Sequence, residues 1–231
     1  MRKGFIIAID GPAAAGKGTI ALQLEKRLNG FYLYSGATYR SVALIGIQNG
    51  IDLQDTKKII ELVPHMQIQF AHGKILLNNE DVTERIKEHD TAAGSSVIGV
   101  IPEVREALVA IQRRIGQEAM DKGEIVVIEG RDTATKVFPD AAVKIFLTAS
   151  AEVRAKRRLA QYLAQGEQTD FATVLEEIRQ RDDRDTQRKT DPLVKEPEKF
   201  GYVVIDDSEM TEEETIQNIM NEVKRRNLLN D

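Results

Sequence analysis

The chain has 231 residues, 42% of them apolar, with 32 Lys and Arg against 37 Asp and Glu for a net charge of −5, and it has no cysteine. That size and composition suit one sheet-based domain carrying insertions, and they exclude disulfides and cysteine-ligated metal. Net negative charge argues against a general nucleic-acid binder, and no apolar run reaches membrane-spanning length; the expected setting is the cytoplasm, with no membrane partner.

The first expected element is the β-rich run FIIAI at 5–9, followed by DGPAAAGKGT and a helix from Lys17 to Asn29 with Leu24 and Leu28 on one face. Gly11, Gly16 and Lys17 fit G-x-x-x-x-G-K between strand and helix. In that context backbone N–H groups wrap phosphate oxygens, the helix N-terminus adds positive potential, and the Lys reaches the terminal phosphates. The candidate ATP-binding residues are therefore Gly11, Pro12, Ala13, Ala14, Ala15, Gly16, Lys17, Gly18 and Thr19. Gly18 stands where many such loops carry the hydroxyl that meets Mg2+. A metal here rests on nucleotide phosphates and water, with no direct protein ligand expected. The guanine-reading N-K-x-D and the transporter signature L-S-G-G-Q are absent, which leaves a phosphotransferase as the better fit.

A weaker strand, FYLY at 31–34, leads into YSGATYR and a helix over 36–48. Ser35 can donate to a phosphate and Arg40 can clamp one, although a helix cap and a surface charge are the competing reading. Residues 64–101 break the strand-helix alternation, because MQIQFAHGKILLNNEDV reads as a β-hairpin about Ala71, His72 and Gly73. A helix over 102–122 follows, then the strand EIVVIE at 124–129. EGRDT places Arg131 and Asp132 just past that strand's carboxyl end, where open parallel sheets bind ligands.

VKIFL at 143–147 and YVVID at 202–206 complete five expected strands, with a terminal helix over 211–227 whose acids come first and bases last. Between those strands lie two Arg-rich helices, 151–165 and 171–189, split near Gly166. A solvated face is the default reading of such a charge run. His65, His72 and His89 show no ligand spacing. The expectation is a single α/β domain, a parallel five-stranded sheet flanked by helices. Its core spans 1–63, 102–150 and 193–231, with an acceptor-side insertion at 64–101 holding a small antiparallel β element, and an Arg-rich helical lid at 151–192.

The G-K-G-T form resembles nucleoside monophosphate kinases of the P-loop class. GPAAAGKGT, SGATYR, PEVREAL, GRD, VFPDAAVKIFLTAS and RDDRD together resemble the bacterial cytidylate kinases over essentially the whole length, in that family's order and spacing. The resemblance implies transfer of the γ-phosphate of ATP, with Mg2+, to CMP and dCMP. It implies that Ser35, Arg40 and Arg131 hold the CMP phosphate, that Ser96, Arg105, Asp132 and Arg188 recognise cytosine, and that Arg181 and Asp185 hold the ribose. Cytosine's N4 amino group would donate a hydrogen bond to Asp132, where uracil would present an oxygen. Charge on the moving phosphoryl falls to Lys17, Arg131, Arg181 and Arg188, with Arg157 at the ATP and Arg184 a further candidate, while Arg154 and Arg158 keep the solvated reading. Thr19 or Glu129 can touch the metal through water.

Several residues depart from that family's pattern: Tyr34 and Glu129 stand where Asp is common, GRDTATK alters Thr133, Ala134 and Lys136, and KTDPL carries Asp191 where a small residue is usual. The changes after Asp132 bear on base selection more than on reaction class. A P-loop kinase of another small acceptor, such as UMP, and a catalytically idle nucleotide binder using the same fold remain the alternatives. The sequence shows no apolar stripe demanding a partner, so a monomer is expected.

Overall fold

The computed structural model describes residues 4–71 and 73–229, so His72 lies outside the described residues. Every residue of β1 (Ile6–Asp10) is buried, and a strand covered on both faces belongs at the centre of a helix-sandwiched sheet. There β1 is flanked by β6 (Val126–Gly130) and β7 (Val143–Thr148), with β2 (Phe31–Tyr34) and β8 (Val203–Asp206) at the edges, in the order β2-β6-β1-β7-β8. All four pairings are parallel, and the five strands are the five expected from the sequence.

Register then places the site. Asp10 pairs with Gly130 and Tyr34 with Glu129, so β1, β6 and β2 end at one level. The phosphate loop, the Ser35 turn and the Gly130-Arg131-Asp132 turn all leave that one edge. Gly130 makes their closeness possible, since a Cβ there would sit 2.6 Å from Ser35 Oγ.

The helices follow their apolar spacing. In α1 (Lys17–Leu28), Ile20, Leu24 and Leu28 recur every fourth residue and are all buried against the sheet; truncating Leu24 to Ala costs about 2–5 kcal/mol. α2 spans Ser35–Gln48 and α5 spans Pro102–Asp121, with Pro at its first position. The buried stripe of α5 runs Val104, Arg105, Leu108, Gln112 and Ile115, so Arg105 sits at an apolar position and is carried into the interior. α8 (Glu212–Arg225) opens with the Thr211–Glu214 capping box and ends on Lys224 and Arg225, as its dipole favours.

Two helices lie where the sequence shows no helical pattern, α3 (Thr56–Leu62) and α4 (His89–Ile98). α4 is rich in small residues rather than large apolar ones, because it packs closely on α2: a Cβ on Gly94 would stand 3.0 Å from the Ala43 Cβ. The expected antiparallel element is a separate three-stranded sheet of β3 (Ile68–Ala71), β4 (Lys74–Leu77) and β5 (Glu80–Asp81). Its Ile68, Ile75 and Leu77 join the same apolar cluster as Ile6 and Leu33 of the main sheet. The Arg-rich helices, α6 (Ala151–Ala164) and α7 (Phe171–Gln187), have a small core of their own: Ala155, Tyr162, Val174 and Ile178. None of the described helices is long and apolar enough to cross a membrane.

Candidate active site

An open cavity of about 1680 Å3 runs along the β2 edge of the sheet, and part of it forms a cleft over the carboxyl ends of β1, β2 and β6. Ala13 to Thr19 line it on one side, Ser35, Arg40, Ser96 and Arg105 on another, and Arg131, Asp132, Arg181, Asp185 and Arg188 close it from the β6 turn and α7. Gly11, Pro12 and Arg157 are not in this lining. Arg157 lies behind the loop instead, with Nη1 on the Asp207 carboxylate at 2.9 Å and Nη2 on the Asp207 carbonyl at 3.0 Å. Its neighbour Arg158 lines the cleft, stacked over the Tyr162 ring at 4.7 Å.

Lys17 begins α1 and is folded back on its own loop, Nζ donating to the Pro12 carbonyl at 2.7 Å. Burial and the nearby Arg131 lower its pKa to about 7, against the opposing pull of Glu129 and Asp10. Ala14 holds a left-handed backbone at φ 56°, a conformation that persists in a non-glycine residue only where its surroundings enforce it. Those surroundings are the Arg-rich helices. Asp182 accepts from Ala13 N–H at 3.2 Å, and Arg154 donates to the Ala13 carbonyl at 3.0 Å and to Asp182 at 2.6 Å. Arg154 is only 6% exposed, so the solvated reading of this residue is corrected: it ties α6 and α7 to the phosphate loop.

At the centre of the cleft Ser35 Oγ donates to the Glu129 carbonyl at 2.5 Å, which fixes the first turn of α2. Arg40 donates to the Ile86 carbonyl at 2.8 Å and lies 5.7 Å over the Tyr34 ring, so Tyr34 serves as a platform. Arg131 Nε is held by Asp185 at 2.7 Å. Arg181 is half-buried, with its Nε buried and lacking a hydrogen-bond partner, and desolvation together with Arg131 lowers its pKa to about 10. Lys17, Arg40, Arg131, Arg158 and Arg181 thus converge with too few carboxylates to neutralise them, which is the electrostatics of an anion site.

The far end of the cleft is a charge network. Arg105 is 2% exposed; it bonds Asp132, donates to the Gly99 carbonyl at 3.0 Å, reaches Asp191 at 3.3 Å and lies 5.6 Å over the Tyr39 ring. Arg188 stands 3.3 Å from the other oxygen of Asp132. Burial pushes the Asp132 carboxyl up, while the two guanidinium groups pull it down. Ser96 Oγ is buried in the same lining without a partner. Unpaired buried polar atoms are expensive unless something else meets them.

The elements behind this end were not legible from the motif. Asp10 accepts from Thr133 N–H at 2.9 Å, Ala134 N–H at 2.8 Å and Tyr202 Oη at 2.7 Å, and so holds the π-type turn Thr133–Val137 against β1. An Asp directly before the phosphate loop was the available signal.

Among the described residues no group of three His, Cys, Asp or Glu side chains is placed to hold a metal ion. Thr19 is exposed at the start of α1 and Glu129 is 7% exposed at the end of β6, both in the cleft lining. That donor set fits Mg2+, which keeps its waters and takes nucleotide phosphates as ligands. A Cβ on Gly18 would stand 3.5 Å from Tyr32 Oη, an ordinary contact, so space alone does not require glycine there.

The family model for cytidylate kinase matches residues 7–225. A cytidylate kinase of Stutzerimonas stutzeri is 43% identical over 229 residues, covering 96% of each chain. One from Caldanaerobacter subterraneus subsp. tengcongensis is 42% identical over 219 residues, covering 95% of this chain and 94% of that one. Among solved structures, an uncharacterized protein from Eubacterium ventriosum superposes with a TM-score of 0.55 at 14% identity over 96% of this chain and 99% of that chain, a likeness of fold alone. A match over nearly the whole chain, meeting a phosphate loop and a cationic cleft at one sheet edge, leaves one conclusion: the chain belongs to the cytidylate kinase family.

Proposed function

We propose that the protein transfers the γ-phosphate of ATP to CMP, and to dCMP, giving ADP and CDP or dCDP. The observation that carries this reading is the cationic convergence of Lys17, Arg131 and Arg181 between the phosphate loop and the Arg105–Asp132–Arg188 network. ATP lies along Ala13 to Thr19, and the CMP phosphate lies among Ser35, Arg40 and Arg131. Arg181 and Asp185 take the ribose, and Ser96, Arg105, Asp132 and Arg188 take the base. Arg157, whose Nη1 lies 3.9 Å from where a Cβ on Gly16 would stand, is assigned to the ATP, with Arg158 of the cleft lining as a second candidate from α6.

Phosphoryl transfer needs two anions brought in line and the charge on the moving group compensated. Lys17 and Arg181 each face Arg131 at close quarters, so a phosphate between them relieves that repulsion. The acceptor is itself an anion, so no general base is required of the chain. Thr19 and Glu129 would hold a nucleotide-borne Mg2+ through water, and that ion would supply further charge compensation. Residues 151–192 act as the lid that excludes water, 64–101 as the acceptor-side lobe, and the remainder as the core. The reading extends to a monomer working in the cytoplasm.

The test is 31P NMR of ATP, Mg2+ and CMP with the protein. Growth of the paired ADP and CDP signals supports the reading, and ATP hydrolysis to phosphate without CDP contradicts it.

A further inference from the structure

Asp191 lies just beyond α7 with a left-handed backbone, φ 47°. Its carboxylate meets Arg105 Nε at 3.3 Å through one oxygen and Lys136 Nζ at 3.5 Å through the other. Its backbone carbonyl accepts from Arg188 Nε at 2.7 Å and also from Arg188 Nη2. Arg105 and Arg188 are the two groups that flank Asp132. Asp191 therefore holds both arginines from behind, while Lys136, on the turn that follows Asp132, holds Asp191.

Each of the three nitrogens of Arg105 is then tied to a protein acceptor, Nε to Asp191, Nη1 to the Gly99 carbonyl and Nη2 to Asp132, which fixes the plane of the guanidinium and leaves two of its five N–H groups, in set directions, for a base. A pyrimidine with an amino group at C4 presents donors and needs an acceptor, whereas one with an oxygen there presents an acceptor and needs a donor. A guanidinium free to turn would satisfy the oxygen. A guanidinium pinned on three sides leaves the Asp132 carboxylate to meet the base, and the wrong base then buries two facing acceptors.

We propose that Asp191 is a positioning residue for base selectivity, pinning Arg105 so that the pocket accepts an amino-bearing and rejects an oxo-bearing pyrimidine. This rests on the CMP kinase reading above. Lys136 steadies the carboxylate from solvent, with its side chain 44% exposed, and contributes less.

Asp191→Asn tests this, because Asn tolerates the left-handed backbone and keeps the carbonyl that Arg188 uses while losing the charge on Arg105. Asp191→Gly, which suits the same backbone, is the second variant should the first melt early. Steady-state rates are measured with CMP and with UMP. The expected result is a fall of about tenfold in the CMP to UMP ratio of kcat/KM, carried by KM, with kcat for CMP within about twofold of the parent. Lys136→Met removes a charge of the opposite sign at the same place and is expected to leave the ratio within about twofold. An unchanged ratio in a folded Asp191 variant overturns the assignment, as does a parallel loss of kcat for both nucleotides, which would mean a merely structural role. Absence of CMP turnover in the parent protein overturns the kinase reading, and this assignment with it.

Discussion

Asp185 accepts from Arg131 Nε at 2.7 Å, while Arg181, one helical turn earlier on α7, keeps its buried Nε without a partner. One carboxylate thus serves Arg131 directly and Arg181 only through space, and the pKa of Arg181 falls to about 10 through burial and its repulsion from Arg131. Removing that charge has two opposite consequences. Arg181→Met is expected to lower turnover by about 100-fold or more, since it deletes charge compensation at the moving phosphoryl. The same change is expected to raise the melting temperature of the nucleotide-free protein, because a half-buried cation that faces Arg131, Arg40 and Arg158 against the one carboxylate of Asp185 is replaced by an apolar side chain of similar reach. A variant that melts lower and turns over normally would remove Arg181 from the site.

Lys17 gives a pH signature. Its pKa is lowered from 10.5 to about 7, so above pH 7 the unfolded chain binds more protons at this position than the folded one. Stability therefore rises with pH between about 7 and 10.5, by at most about 1.4 kcal/mol per unit from this group. Lys17→Met, which stays folded, should lose that slope in urea titrations at successive pH values. Binding of ATP acts in the other sense, since phosphate favours the protonated amine. Calorimetry at pH 8 should show ATP binding with proton uptake in the parent protein and less uptake in Lys17→Met.

Asp132→Asn separates base selection from chemistry. The amide keeps the shape of the network but offers one oxygen, and it turns a donor toward the C4 position. CMP preference over UMP should fall about ten- to 100-fold, with a loss of stability from Arg105, which is 2% exposed and would retain Asp191 as its carboxylate partner. Competition assays with mixed CMP and UMP read the ratio directly, and retained preference would place base recognition elsewhere.

The tie between Arg154 and the phosphate loop makes a stability prediction. Arg154 bonds the carbonyls of Ala149 and Ala13 and the Asp182 carboxylate at 2.9, 3.0 and 2.6 Å. Arg154→Ala should cost about 2–4 kcal/mol in denaturant unfolding and raise KM for ATP more than KM for CMP. Arg154→Lys should rescue little, because an ammonium cannot reach three acceptors with a planar fork. Full rescue by Lys would mean that only charge matters there.

How much of this was readable in the sequence follows the range of the interactions. The strands were legible because five short apolar runs bounded by turns have few other uses, and the phosphate loop because its spacing sits between a strand and a helix. Residues carried by the family resemblance, from Ser35 to Arg188, do meet in one cleft, whereas Arg157 is turned to Asp207. α4 was hidden because its contacts are made by Gly94 and alanines that give no periodic apolar signal. Arg154 looked like one more charge in a solvated run, since nothing local reveals that its acceptors come from Ala13 and Asp182. Lys136 and Asp191 stood out as separate oddities far apart in the chain, and only the fold sets them 3.5 Å from each other.

The central claim is that this cleft phosphorylates CMP, and the most direct measurement is ADP release from ATP and Mg2+ with CMP, dCMP, UMP, AMP and GMP offered separately at equal concentration. The account predicts fast release with CMP and dCMP, slower release by about tenfold or more with UMP, and background with the purines. Release that is independent of any acceptor, or equal for UMP and CMP, would contradict it.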